Sequence, residues 1–200
     1  KKSMKSLSII LLLGVIYFVF QSFISKYMVE TEKQVYRVVK KEADFEIRYY
    51  PEALMATVYT KGTNYKSVSS SGFNKLAKYI FGGNQQKQSI SMTAPVRMSI
   101  TENGSSMSFV MPQKYTNQSL PTPNDPNIEI KKSLPEYVAV ISFGGYATDE
   151  KIAIAYQNLF KILSEKKIIT KGGYKLLGYN APYQFMGRTN EVIIPIEWTE

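Results

Sequence analysis

The 200-residue chain contains no cysteine and no histidine. The first absence removes disulfides, thiolate nucleophiles and cysteine-held metal sites. The second removes the imidazole base of Ser-His-Asp and Cys-His machinery and the commonest metal ligand. Catalysis by a histidine-activated nucleophile and ordinary zinc chemistry are therefore outside its reach. No carboxylate pair stands in a pattern suited to acid–base work, because Asp149-Glu150 is accounted for by the favourable placement of acids at a helix N-terminus. These residues do not predict an enzyme.

Long uncharged runs are also scarce, and the one present is informative. Between Lys5 and Lys26 lie 20 residues, "SLSIILLLGVIYFVFQSFIS", without a charge. At 1.5 Å per helical residue that run matches the roughly 30 Å hydrocarbon core of a bilayer. It predicts a single-pass transmembrane helix, a membrane anchor over residues 1–26. A cleaved signal sequence is the other reading, although "FQSFISKYM" offers no clear pair of small residues for cleavage. Lys1, Lys2 and Lys5 outnumber Lys26 and Lys33, so the positive-inside rule puts the N-terminus in the cytoplasm. The soluble part is then expected on the extracytoplasmic side, periplasmic or secreted, with residues 27–34 as a linker and 35–200 as one domain.

The anchor changes the meaning of the net charge of +9. Without its four lysines, 21 basic residues face 16 acidic ones, a balance of +5. They are scattered, and no zinc-finger, RNA-recognition or basic-zipper pattern accompanies them, so no nucleic-acid partner is expected.

Turn residues separate short strand-like runs along the remainder. "VYRVVKK" (35–41), "DFEIRYY" (44–50) and "ALMATVYTK" (53–61) read as strands, and residues 65–81 as a helix stopped by Gly82-Gly83. Strands follow in "VRMSIT", "MSFVMP" and "NIEIKK", after which 136–143 is a strand. A helix capped by Thr148 or Asp149 runs to about Lys166, and "YKLLGYN" and "EVIIPIEW" close the chain. Gly82-Gly83 follow a helix instead of opening one and precede no Gly-Lys-Ser/Thr, so they do not form a phosphate cradle.

A repeat emerges when these pieces are aligned. Pro51-Glu52 and Pro135-Glu136 each open a strand that leads to a helix, "FNKLAKYI" (73–80) or "YQNLFKIL" (156–163). The offset is 84 at the prolines and 83 at the helices. A duplicated strand–helix unit on one antiparallel sheet is an α+β arrangement. With 15 Tyr, 10 Phe and 8 Met the chain can line an apolar pocket, although most of these side chains must be core.

In order and spacing, "DFEIRYYPEALMATV", "GFNKLAKYIFGGNQQKQSISMTAPV", "SFVMPQKYT", "YVAVISFGGYA" and "GYNAPYQFMGRTNEVIIPI" resemble the SOUL/haem-binding protein family over residues 35–197. The resemblance implies a distorted barrel-like antiparallel sheet with two helices from an internal duplication, related to bacterial effector-binding domains. It also implies binding of haem or another tetrapyrrole. Some members were assigned an axial histidine where Tyr49 stands here, and this chain has no histidine to offer. Another mode places the porphyrin against the first helix, which carries over to Phe73, Ala77 and Lys78. A second lysine of that mode corresponds to Gln184. Among single candidates, Tyr49 is a possible phenolate ligand, Met92 a thioether ligand, and Lys78 and Arg188 partners for propionates. Tyr49 also suits strand packing, and Arg188-Thr189-Asn190-Glu191 a structural turn. The expected function is a membrane-anchored haem carrier or buffer; the alternative is a module that binds a non-haem effector or a protein partner in the same concavity.

Overall fold

A computed structural model describes residues 14–15, 31–101, 104–182, 184 and 186–199. The expected transmembrane segment lies outside the described residues except for Gly14 and Val15. Among the described residues no helix is long and apolar enough to cross a membrane.

Residues 32–200 form one compact unit. Its strands are β1 Glu32–Lys33, β2 Arg37–Lys41, β3 Glu46–Tyr50, β4 Leu54–Thr60, β5 Thr93–Ala94, β6 Val96–Ser99, β7 Ser105–Val110, β8 Ile128–Lys132, β9 Glu136–Gly144, β10 Lys175–Gly178 and β11 Thr189–Pro195. Helix α1 spans Tyr65–Ile80 and α2 spans Asp149–Glu165. Nine strands form a single antiparallel sheet in the order β2-β3-β9-β11-β10-β6-β7-β4-β8, curled into an open half-barrel.

That order displays the duplication. From the central β10–β6 pair outward, β10, β11, β9 and β3 on one side mirror β6, β7, β4 and β8 on the other. Helix α1 packs on β4 and β7, and α2 on β9 and β11. The caps, Asn64 and Thr148, and the first buried helical residues, Val68 and Ile152, correspond at an offset of 84. The next buried pairs, Gly72 with Ala155, Leu76 with Leu159 and Ile80 with Leu163, correspond at 83. The one-residue slip therefore falls inside the helices, after the first buried position, and not between strand and helix.

Capping fixes both helix starts. The Asn64 side chain accepts a hydrogen bond from the Ser67 N–H at 2.9 Å, and Thr148 Oγ1 accepts one from the Lys151 N–H at 3.2 Å. At the end of α1, Gly82 has φ +103°, and the Gly83 N–H donates to the Lys78 carbonyl at 2.8 Å, a Schellman closure. Buried Asn84 holds the turn that follows, donating to the carbonyls of Tyr79 and Gln88 and accepting from the Gln88 N–H.

Strand alternation divides the sheet into two faces. One face, with Ala56, Val58, Phe109, Ala139 and Val192, joins the buried stripes of both helices in the main core. The other carries a smaller cluster of Tyr50, Val138, Val140, Leu177 and Ile193.

Strands β1 and β5 were not anticipated. They pair in parallel, Glu32 with Thr93 and Lys33 with Ala94, and the Gln34 N–H donates to the Ala94 carbonyl at 2.7 Å. Gln34 is buried and accepts a hydrogen bond from Arg97 Nη1 at 3.0 Å. Residues 32–34, expected as the end of a linker, thus belong to the domain. A two-residue strand has no periodicity to read.

Candidate functional site

The outer surface of α1 follows from how its inner surface docks. Val68, Gly72, Leu76 and Ile80 recur every fourth residue and are buried. A Cβ at Gly72 would lie 2.9 Å from Met107 Cβ, so glycine is what lets this helix approach the sheet so closely. The neighbouring stripe, one residue further round, holds Phe73 and Ala77 half-buried and reaches Phe81, which is 69% exposed. At 1.5 Å per residue the two phenylalanines stand about 12 Å apart along the axis, with the small Ala77 between them. Phe73 is anchored edge-on against Phe109, with ring centroids 5.5 Å apart. Lys78 is exposed beside this stripe. The Asp125 carboxyl lies below its usual range, mainly through hydrogen bonds from Asn127, with Lys75 and Lys78 adding to the effect.

Three of the expected residues, Phe73, Ala77 and Lys78, are therefore brought together on one helix. The others are placed elsewhere. Tyr49 is half-buried on β3, its ring 4.9 Å from that of Tyr137 and its face 5.7 Å from the Arg37 guanidinium. It sits in the half of the sheet that α2 covers, whereas the stripe lies on α1 over the other half. Met92 is half-buried and packs against the main core. Arg188 is a brace: its Nη1 donates to the carbonyls of Ala181 and Gln184, each at 2.8 Å, and its guanidinium lies 4.4 Å from the Tyr146 ring centre. Asn190 Nδ2 donates to the Gly145 carbonyl at 2.8 Å, so this turn ties β11 to the end of β9. Gln184 donates to the Met186 carbonyl at 3.1 Å.

The sequence reading missed the ionic networks on the opposite face. Arg48 makes two 3.0 Å hydrogen bonds to the Glu191 carboxylate, with both side chains 7% exposed. Burial opposes the Arg48 charge most, but Glu191, with Tyr50 and Glu46 adding to it, raises the guanidinium pKa on balance. The Tyr179 hydroxyl, whose pKa burial drives up, donates to Glu191 at 2.7 Å. A second network joins Arg97, Glu136 and Lys175, the lysine lying 2.6 Å from the carboxylate. Burial works to raise the Glu136 pKa, but the two cations prevail and hold it below the usual carboxylate range. The available signal was a charged residue at an alternating position inside an otherwise apolar strand, as in "EIRYY" and "EVIIPI".

Two concavities, of about 720 and 680 Å³, are lined by β1 with residues 51–54, 110–113 and 115–118, and by the helix-free face of the sheet, respectively; neither includes a residue of α1. Among the described residues no group of three or more Asp or Glu is placed to hold a metal ion.

A curled antiparallel half-barrel carrying two duplicated helices defines an α+β module. Residues 31–195 match the SOUL heme-binding protein family, and the chain belongs to it. Heme-binding protein 2 of Mus musculus is 31% identical over 157 residues, covering 74% of this chain and 76% of the relative. Heme-binding protein 1 of Xenopus laevis is 29% identical over 166 residues, covering 78% and 86%. These relatives are named as binding proteins. Among solved structures, the C-terminal domain of EcmrR superimposes with a TM-score of 0.61 at 10% identity, covering 82% of this chain and 99% of that domain. A Listeria innocua protein described as a hydrolase superimposes at 0.55 with 8% identity, covering 89% and 98%. Likeness at such identities shows the fold alone.

Proposed function

We propose that the chain binds haem or a related tetrapyrrole against the outer stripe of α1, as a carrier or buffer and not as an enzyme. The observation that carries this reading is the stripe itself: Phe73, Ala77 and Phe81 form an accessible apolar strip with a small residue at its centre and a lysine at its edge. A flat apolar ring fits against Ala77 between the two phenyl groups, and Lys78 is placed to meet an acidic edge. The residues do not fit ligation by histidine or cysteine, which the chain lacks. Tyr49 and Met92 are both engaged in packing. When bound, the iron and ring supply the redox and optical chemistry; the side chains supply apolar contact and charge pairing. Arg188 is already engaged by the carbonyls of Ala181 and Gln184.

Such a site predicts micromolar affinity, roughly −8 kcal/mol. Titrating haemin into the protein should give a saturable Soret shift. Phe73→Asp abolishes it, because a carboxylate against the ring costs several kcal/mol. Lys78→Glu, on an exposed position that the fold tolerates, weakens it several-fold. Tyr49→Phe leaves it within a few-fold. A large loss in Tyr49→Phe, with disappearance of a phenolate-to-iron charge-transfer band, makes Tyr49 the ligand and removes α1. No spectral change at all leaves a non-haem effector or a protein partner as the occupant.

The uncharged run before Lys26 supports a membrane anchor for this module, with the domain on the extracytoplasmic side. The full chain should stay with membranes through a high-salt or alkaline wash, since burial of apolar surface is not reversed by screening. Recovery of a soluble form beginning near Tyr27 instead identifies a cleaved signal.

A further inference from the structure

The face of the sheet turned away from the helices carries a concavity of its own, of about 680 Å³. Alternation sets its floor. Between the core-facing residues of β4, β6 and β7 stand Thr57, Ser99, Ser106 and Ser108, short hydroxyl side chains that leave room above the sheet. Thr57 and Ser108 are joined by a 2.8 Å hydrogen bond. The β8–β9 turn, Ser133 to Pro135, and the segment leading into β10 form the walls.

The charge of the lining is one-sided. Five cations, Arg97, Lys131, Lys132, Lys171 and Lys175, face a single carboxylate, Glu136. Arg97 and Lys175 share that carboxylate, so one positive charge is left over at the buried end. The other three lysines pair with Glu129, Glu52 and Glu197, none of which lines the concavity. All three pairs are well exposed, and exposed pairs hold their partners weakly, so these ammonium groups can turn inward at little cost. Apolar surface accompanies the charge: Met55, Met98 and Pro195 line the concavity, and Leu134 stands at its edge with 83% of its surface exposed.

An ordinary solvated strand face would also show serine and threonine at alternate positions. It would not bury Thr57 and Arg97 to 3% and 5% exposure or place an exposed leucine beside five cations. Positive charge, hydroxyl donors and a limited apolar wall together select a ligand with an oxyanion head and a compact apolar body, and the volume lies in the range of small-molecule sites. We propose that this concavity is a second binding site, for a small organic anion bearing a carboxylate or phosphate group. It lies on the opposite face of the sheet from α1 and does not depend on the tetrapyrrole reading.

The test uses 1-anilinonaphthalene-8-sulfonate, an aromatic anion, followed by fluorescence on the full chain. Binding should saturate at one equivalent and weaken when salt is raised from about 50 to about 300 mM. Ser106→Trp fills the concavity without changing charge, and the double variant Lys131→Gln/Lys171→Gln removes two exposed cations without touching the core. The lysine variant should weaken binding roughly tenfold or more, the loss expected for charge-assisted hydrogen bonds, and Ser106→Trp should weaken it at least as much because the indole occupies the ligand's space. Phe73→Asp should leave it unchanged. Displacement of the probe by laurate assigns a soluble acid as the ligand class. Displacement of the probe by a soluble short-chain phosphatidylglycerol, but not by laurate, assigns a lipid headgroup. Unchanged binding in both Ser106→Trp and the lysine variant, binding abolished by Phe73→Asp, or no binding at all overturns the proposal.

Discussion

Gly72 sets how closely α1 lies on the sheet. Alanine there would gain about 1 kcal/mol of helix propensity, but its Cβ would meet the Met107 Cβ at 2.9 Å, an overlap with an atom fixed to the backbone. Overpacking of this kind costs about 1–3 kcal/mol, so the net effect of Gly72→Ala is destabilising. Thermal unfolding should show a midpoint lower by a few degrees; a raised midpoint contradicts the close docking of α1. The second helix has Ala155 at the matching position. Phe73 and Ala77 could be placed on the helix from sequence because helical spacing and the family resemblance agreed. Glu191 could not be understood, because its partner Arg48 stands 143 residues away and only the β3–β9–β11 pairing brings them together. Arg188 carried two readings, a propionate partner and part of a structural turn, and the carbonyls of Ala181 and Gln184 that its Nη1 meets accord with the turn.

At the scale of elements, the strands and helices with strong periodicity were legible, and so were the start of α2 at Thr148 or Asp149 and the Gly82-Gly83 stop of α1, but not the Asn64 cap. The short β1–β5 pair was not, since two residues carry no pattern. Its consequence is energetic. Gln34 supplies an acceptor to the buried Arg97 guanidinium, and a hydrogen bond to a charged group contributes about 1.5–3 kcal/mol. A chain starting at Glu32 should melt cooperatively, because it contains every element of the sheet and both helices. A chain starting at Tyr36 lacks β1 and the Gln34 side chain and should lose about 2 kcal/mol in denaturant unfolding. Equal stability of the two chains places the domain boundary back at residue 35.

The unit over residues 32–200 is a duplicated one whose two halves meet at β10 and β6 and leave two unlike faces. The helix side carries one large core and the accessible stripe of α1; the other side carries ion pairs and a hydroxyl-lined concavity. The duplication was visible in the sequence, but the curl of the sheet and the contrast between its faces arise from pairings that no local pattern encodes. The central claim is that the tetrapyrrole lies on α1. Amide chemical-shift mapping with gallium protoporphyrin, a diamagnetic analogue, tests it directly. Perturbations should concentrate at residues 73–81 and in Phe109, which packs beneath Phe73. Perturbations centred on Tyr49 and Tyr137, or on the helix-free face, with α1 unmoved, contradict it.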